Sequence, residues 1–256
     1  MGVYRLMQLI QITDMHMHRE PGEIRQSCVN TDDSLAAVLA SIKNRGQIPA
    51  LIAATGDLAQ DPHPEIYNRF GQMVSLLDAP VVTLPGNHDD RAMMSASFSD
   101  GSVSCCGELQ LGEWQLVFLD TSVPGEVHGS LGQEQLDNLI ETISSTSASH
   151  ILIFMHHHPY PVGTVWLDDI GLENSDLFWD AVGTSARVRG VVCGHIHQQL
   201  DCIHKGIRML GTPSTCVQFV PFSEESDFDD RPPGYRVIEL NDDGSIDTRV
   251  EWVPLP

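Results

Sequence analysis

HILIFMHHHP, residues 150–159, is a strand-length apolar run that ends abruptly in three histidines and a proline. A run this short and this apolar reads as a strand buried on both faces. Imidazoles at its end are not core material, and the same event recurs along the chain. Met7–Thr13 runs into Asp14-Met15-His16, and Ala50–Thr55 into Gly56-Asp57. Val81–Leu84 is followed by Pro85-Gly86-Asn87-His88-Asp89, and Arg189–Cys193 by Gly194-His195-Ile196-His197. In open α/β sheets ligands gather beyond the carboxyl ends of the strands, so these five groups can converge at one edge. Carboxylate, imidazole and amide oxygen together suit Mn, Fe or Zn better than a soft thiolate site would. Glycines before Asp57, Asn87 and His195 permit tight strand-to-loop turns that bring backbone close to bound ions. A lone Asp-x-His is most often a turn or a satisfied polar pair. Five such groups in this order, each just past a strand, are hard to obtain by chance.

Between the strands lie helical patterns: Thr31-Asp32 capping a segment through Lys43, then Glu65–Leu77, Gly132–Ser144 and Asn174–Val182. Gln115–Leu119 is a further strand. Gln199–Ile203, Ile207–Leu210, Arg236–Leu240 and Ile246–Trp252 read as antiparallel strands, with turns at Lys205-Gly206 and Asp243-Gly244. Phe222–Pro233, rich in acids and proline, reads as a surface loop. Alternating short strands and helices predict stacked α and β layers. A single domain over residues 1–256 is the expectation.

The chain has 256 residues, 41% hydrophobic, which is ample for a buried core and speaks against disorder. Its 14 basic and 35 acidic residues give a formal charge of −21. Such a surface repels nucleic acid and anionic lipid over most of its area, so no nucleic-acid or membrane partner is expected. A phosphate ligand then needs a positive partner other than lysine and arginine, and the 12 histidines point to bound metal ions. No apolar run approaches the roughly 20 residues that span a bilayer. Gly2 is followed by Leu6 where a myristoylation signal wants Ser or Thr. The N-terminal stretch lacks a secretory apolar core, and the six cysteines show no CxxC spacing. Reduced thiols in a cytoplasmic protein are expected; Cys105 and Cys106 are adjacent, a geometry that rarely bridges.

The ordered set Asp-x-His, Gly-Asp, Gly-Asn-His-Asp, His and Gly-His-x-His resembles the calcineurin-like metallophosphoesterase superfamily. ATGDLAQD (Ala54–Asp61), LPGNHD (Leu84–Asp89), HHHP (His156–Pro159), CGHIHQ (Cys193–Gln198) and TPSTCVQF (Thr212–Phe219) look like the bacterial 3′,5′-cyclic AMP phosphodiesterases. His18 departs from the pattern, since the family generally has an apolar residue there. The chain also stops at Pro256, without the tail that some relatives carry. The resemblance implies an α/β fold, a four-layer αββα sandwich of two mixed β-sheets flanked by helices. It implies two divalent metal ions (Fe, Mn or Zn), one held by Asp14, His16, Asp57 and His197. The other would be held by Asp57, Asn87, His156 and His195, with Asp57 bridging. Catalysis then falls to His88, Asp57 and Asn87, and substrate contacts to His16, Asn87, His88 and His197. His88 would contact the phosphate and protonate the leaving alkoxide, with Asp89 orienting it or its loop. The implied reaction is hydrolysis of 3′,5′-cyclic AMP to 5′-AMP by a metal-bridged hydroxide.

Period-2 geometry sends His157 to the face opposite His156, so it reads as structural or as a support behind the ligands, and His158 is left unassigned. His18, His63, His128, His150 and His204 read as surface or satisfied polar residues. Thr212–Cys216 is either a lining of the nucleotide pocket or a packed turn. Competing functions are hydrolysis of other small diesters, such as glycerophosphodiesters or 2′,3′-cyclic nucleotides, and a non-catalytic scaffold on the same fold. The intact ligand positions speak against the scaffold. The sequence is silent on oligomeric state; a homodimer is compatible with it.

Overall fold

Every apolar run named above becomes a strand, and those leading to Asp14, Asp57 and Asn87 end a residue early, where the chain turns toward the expected ligands. The computed structural model describes residues 7–24, 27–99, 101, 103–183 and 185–255; the Gly2 and Leu6 considered for lipidation lie outside them. β1 (Met7–Ile12), β2 (Leu51–Ala54), β3 (Val81–Thr83) and β4 (Ser104–Cys105) run parallel in that order. The chain then builds a second sheet from β5 (Gly107–Leu111), β6 (Trp114–Phe118), β7 (His150–Met155), β8 (Val188–Cys193), β9 (Leu200–His204) and β10 (Ile207–Gly211). Its order is β5-β6-β7-β8-β10-β9, with the central four strands parallel. β11 (Gln218–Phe219) and β12 (Phe228–Asp229) form a small ribbon. β13 (Gly234–Leu240) and β14 (Ile246–Trp252) return to the first sheet, β13 lying antiparallel beside β1.

Strand periodicity sorts the apolar residues into three cores. Ile10, Ile12 and Ile52 face outward onto α1 (Thr31–Asn44) and α2 (Pro64–Val74), meeting Leu35, Val38 and Phe70. Their neighbours Leu9 and Leu51 face inward, where they join Leu116, Leu152, Phe154 and Val192 of the second sheet. Ile151, Ile153 and Met155 point the other way, onto Leu136, Leu139, Phe178 and Trp179. α3 (Arg91–Ser97) follows β3; α4 (Gln133–Ser145) and α6 (Ser175–Val182) cover the second sheet, and α5 (Val165–Asp168) is one turn. The layers are therefore α, β, β, α, as the sequence implies. Each fully buried Leu, Ile or Phe contributes roughly 1.5–3 kcal/mol.

Near the ligand end the contact between the sheets turns polar. Gln11 donates to Thr55 Oγ1 at 2.8 Å and to the Cys193 carbonyl at 3.1 Å, and accepts from Thr212 Oγ1. Arg236, 1% exposed, donates to Thr212 Oγ1, Thr248 Oγ1 and the Leu200 and Gly211 carbonyls. One buried guanidinium thus ties β13 to the second sheet, and burial pulls it down to about 10.

Several local expectations are corrected. Asn30, not Thr31-Asp32, caps α1: its side chain accepts from the Asp32 and Asp33 amides. α2 stops at Val74, and Ser75–Leu77 tightens into a 3₁₀ turn closed by Asp78 in the left-handed region. The acidic 222–233 loop contains β12, since Phe228 has an apolar partner in Phe219. The hairpin turn at Lys205-Gly206 is present, both residues having positive φ, as a two-residue turn of this kind requires.

Candidate metal centre

β1 and β2 end side by side, and their loops stay paired beyond the sheet. Asp14 N–H donates to Gly56 O, His16 N–H to Asp57 O, and Met17 N–H to Leu58 O, at 2.9–3.0 Å. This pairing sets the two carboxylates next to each other. Five of the expected ligands, Asp14, His16, Asp57, His195 and His197, have left-handed backbones with φ between 48° and 68°. Each such non-glycine residue costs of order 1–3 kcal/mol, and strain of this kind clusters at functional sites. Close approach explains the glycines. A Cβ on Gly86 would lie 2.1 Å from Asp57 Oδ1, and one on Gly194 would lie 2.2 Å from Thr13 Oγ1.

The second sheet brings the imidazoles. His156 Nε2 lies 3.2 Å from Asn87 Oδ1 and 3.4 Å from Asp57 Oδ2. His197 Nε2 lies 3.3 Å from Asp14 Oδ1 and 3.2 Å from His16 Nε2, which is itself 3.6 Å from Asp57 Oδ2. The other ring nitrogens are spoken for. His156 Nδ1 meets the Thr55 carbonyl at 2.8 Å, and His197 Nδ1 the Val217 carbonyl at 2.7 Å. Such bonds fix the tautomer and aim Nε2 into the cluster, as outer partners of metal-binding histidines do.

Burial works to raise the carboxyl of Asp57, but His156 and His16 outweigh it and hold it well below the usual carboxylate range. Asp14 is lowered too, with His197 and His156 overcoming the same burial. Burial works to lower His156, while the Asp57 and Asp14 carboxylates raise it to about 9. His16 goes the other way, pushed down to about 3 by burial. His195 is held well below its ordinary value by burial and by neighbouring imidazoles. Converging lone pairs, with His195 Nε2 buried and unpartnered among them, make a donor set that suits a divalent cation. Asp14, His16 and His197 place ligand atoms within 4.8 Å of one another, as do Asp14, Asp57 and His156.

His195 groups with one imidazole outside the expected set. Its amide donates to both Asp14 oxygens, at 3.1 and 3.2 Å, and its ring groups with His156 and His157. His157 is fully buried beside the cluster, its Nδ1 2.8 Å from Thr121 Oγ1. β7 ends at Met155, so pleat alternation no longer governs position 157. His158 is buried too, 3.6 Å from Asp168. None of His18, His63, His128, His150 and His204 belongs to a metal-spaced group among the described residues.

His88 belongs to the rim. Its amide donates to Asp57 Oδ1 at 2.9 Å, and its Nδ1 lies 2.9 Å from the Gln60 carbonyl, leaving Nε2 for a ligand. Asp89 does not touch the His88 ring. Its carboxylate accepts from the Leu58, Ala59 and Gly86 amides and from the Tyr67 hydroxyl, at 3.0–3.2 Å, so it pins the loop. Burial and the nearby Asp57 push it up to about 6.

Thr212–Cys216 proves to be the packed turn. It lies beneath Asp14, with Ser214 Oγ donating to the Asp14 carbonyl at 2.7 Å. A cavity of about 300 Å³ opens over Asp57, Asn87, His88, His195 and His197, and its far wall is Trp166, Phe219 and Phe228. Sequence reasoning passed over Trp166 and Phe228 of this wall, and over Gln60 and Thr121, as neighbours of the site. The largest cavity described, about 800 Å³ around Trp179, Lys205 and Arg208, contains no ligand residue.

Residues 7–199 match the family of calcineurin-like phosphoesterases. The chain belongs to that family. It is 39% identical to the 3′,5′-cyclic adenosine monophosphate phosphodiesterase CpdA of Escherichia coli K12, over 95% of this chain and 88% of that one. The CpdA of Pseudomonas aeruginosa is 38% identical, over 96% and 89%. A 3′,5′-cyclic-nucleotide phosphodiesterase of a Nostoc species is 32% identical, over 96% and 92%. Among solved structures, a dimetal phosphatase of Danio rerio superposes with a TM-score of 0.64 at 15% identity, covering 96% of this chain and 99% of that one. TT1561 of Thermus thermophilus gives 0.60 at 12%, over 98% and 100%. These two show the fold alone. As in other calcineurin-like phosphoesterases, divalent metal is the family's reagent, and this chain keeps the groups to hold it. No helix among the described residues is long and apolar enough to cross a membrane.

Proposed function

We propose that the protein hydrolyses 3′,5′-cyclic AMP to 5′-AMP at a dinuclear centre. One ion would be held by Asp14, His16, Asp57 and His197, the other by Asp57, Asn87, His156 and His195. The observation that carries this reading is a complete ligand set in a chain 39% identical, over 95% of its length, to a cyclic AMP phosphodiesterase. Because the ligands come from both sheets, we read residues 1–256 as a single domain. The donor set accepts Fe, Mn or Zn.

Bound there, divalent cations supply positive charge to a phosphate and lower the pKa of water toward neutrality. The chain's own residues do the rest. Asn87 and His88 face the cavity from a loop of the first sheet and His197 faces it from the second, with His16 edge-on to the His88 ring at 4.9 Å, so these four would hold a phosphate between the two layers. Hydroxide, formed when a water gives one proton to solvent, attacks phosphorus in line with O3′; a new P–O bond forms as the P–O3′ bond breaks. The His88 imidazolium, with Nδ1–H held by the Gln60 carbonyl, gives its Nε2 proton to the departing 3′-alkoxide. Asp89 keeps the loop in place without touching the substrate. The small cavity and the charge of −21 favour a small diester over a nucleic acid strand.

The test is a substrate panel with the metal-loaded protein. Efficiency on 3′,5′-cyclic AMP should exceed that on 2′,3′-cyclic AMP and on glycerophosphodiesters, and 5′-AMP should be the product. A tenfold reversal of that order, about 1.4 kcal/mol of transition-state binding, would overturn the cyclic AMP assignment while leaving diester hydrolysis standing.

A further inference from the structure

The cavity over the ligand cluster has two unlike halves. Its floor carries Asp57, Asn87, His88, His195 and His197, where a phosphate would sit. Its far wall is apolar and aromatic, and among the described residues Asp57 is the one charged side chain that lines the cavity. Phe219 stacks on His197 at 4.3 Å and 21° and on Phe228 at 5.9 Å and 13°. Trp166 stands across Phe219 at 4.9 Å and 83°, so the two ring planes make a corner. That corner is continuous with the ligand cluster through the His197–Phe219 stack. The volume, about 300 Å³, lies at the small end of the roughly 300–1,000 Å³ typical of small-molecule sites. A second cavity, about 650 Å³, also reaches His88, but among the described residues no Phe, Tyr or Trp lines it; Arg91, Ser95 and Ser122 do.

We propose that the corner of Trp166, Phe219 and Phe228 receives the base of the nucleotide, with Trp166 setting a preference for purines. The assignment rests on the nucleotide reading above. Every base has a π-face, and an aromatic side chain without charge beside it holds that face through stacking and burial. A purine covers more of the corner than a pyrimidine. Phe219 also packs on a ligand histidine, so its removal would disturb the cluster itself. Trp166 touches no ligand ring, which makes it the specificity-determining residue and the clean one to change.

Calorimetric titration of the metal-loaded protein with AMP, CMP and inorganic phosphate separates base from phosphate binding. In the wild type AMP should bind more tightly than CMP, and CMP more tightly than phosphate. Trp166→Ala should weaken AMP about tenfold, about 1.4 kcal/mol, while phosphate affinity and metal content stay within twofold; Trp166→Phe should restore most of the loss. Phe228→Leu should act in the same direction. Unchanged AMP affinity in Trp166→Ala would overturn the inference, as would AMP and phosphate weakening together. If these affinities follow the expected order but the wild type leaves cyclic AMP intact, the substrate reading falls and the base site stands.

Discussion

The two sheets bring opposite chemistries to one edge. The first sheet delivers both carboxylates, the Asn87 amide and two imidazoles, His16 and His88; the second delivers imidazoles alone, His156, His195 and His197. Across the gap, Asp57 faces His156 at 3.4 Å and Asp14 faces His197 at 3.3 Å. Neither layer is a metal site by itself. The carboxylates alone would repel each other in a buried place, and the imidazoles alone would favour neutrality. What makes a centre of them is the register of the sheets, held just below by Gln11, Thr212 and Arg236. The strained part is shared as well. Left-handed residues of the proposed ligand set occur at Asp14, His16 and Asp57 on one side and at His195 and His197 on the other.

The sharpest way to break this pairing is at Asp57, the carboxylate assigned to both ions. Asp57→Ala should remove nearly all turnover, well beyond the about 10²–10³-fold of one lost electrostatic contact. Steady-state rates under saturating metal check this. A variant that keeps a tenth of wild-type kcat would mean that the layers do not share a bridging group. His88→Ala comes next and should act on chemistry alone. On cyclic AMP kcat should fall by about 10²–10⁴-fold, whereas bis(p-nitrophenyl) phosphate, whose leaving group needs no proton, should lose far less. Equal losses on both substrates would make His88 a positioning residue.

Smaller effects probe the supports. Asp89→Asn turns an acceptor-only carboxylate into a group that must present N–H toward backbone amides. It should lower stability by about 1–3 kcal/mol in denaturant unfolding, and a variant as stable as wild type would show that the loop is pinned by other contacts. Gln11→Leu removes the interlayer bonds while keeping bulk. Thr212 and Thr55 then lose a partner in a buried place, for about 1–2 kcal/mol. If register depends on this network, metal affinity should weaken along with stability; a variant that loses stability but not affinity would separate the two.

How much of this is legible in the sequence follows from where each residue sits. Asp14, Asp57, His156 and His195 can be read because each follows an apolar run, where polarity changes within one or two residues. The sheets can be read for the same reason. Trp166 and Phe228 cannot, since they come from a one-turn helix and a two-residue strand that have no periodicity to detect, whereas Phe219 falls inside the TPSTCVQF segment. Arg236 looks like an outward residue of an alternating strand, and only the packed sheets reveal it as a buried strut. His157 misleads in its face, though not in its supporting role, because β7 ends two residues before it. Asn30 loses to Thr31 on local pattern, as both are good capping types.

Metal stoichiometry tests the central claim most directly. Elemental analysis of purified, metal-loaded wild type should give about two ions per chain, and the same measurement on Asp57→Ala should find both lost. One ion in the wild type, or two retained after removal of Asp57, would contradict a dinuclear centre bridged by that carboxylate.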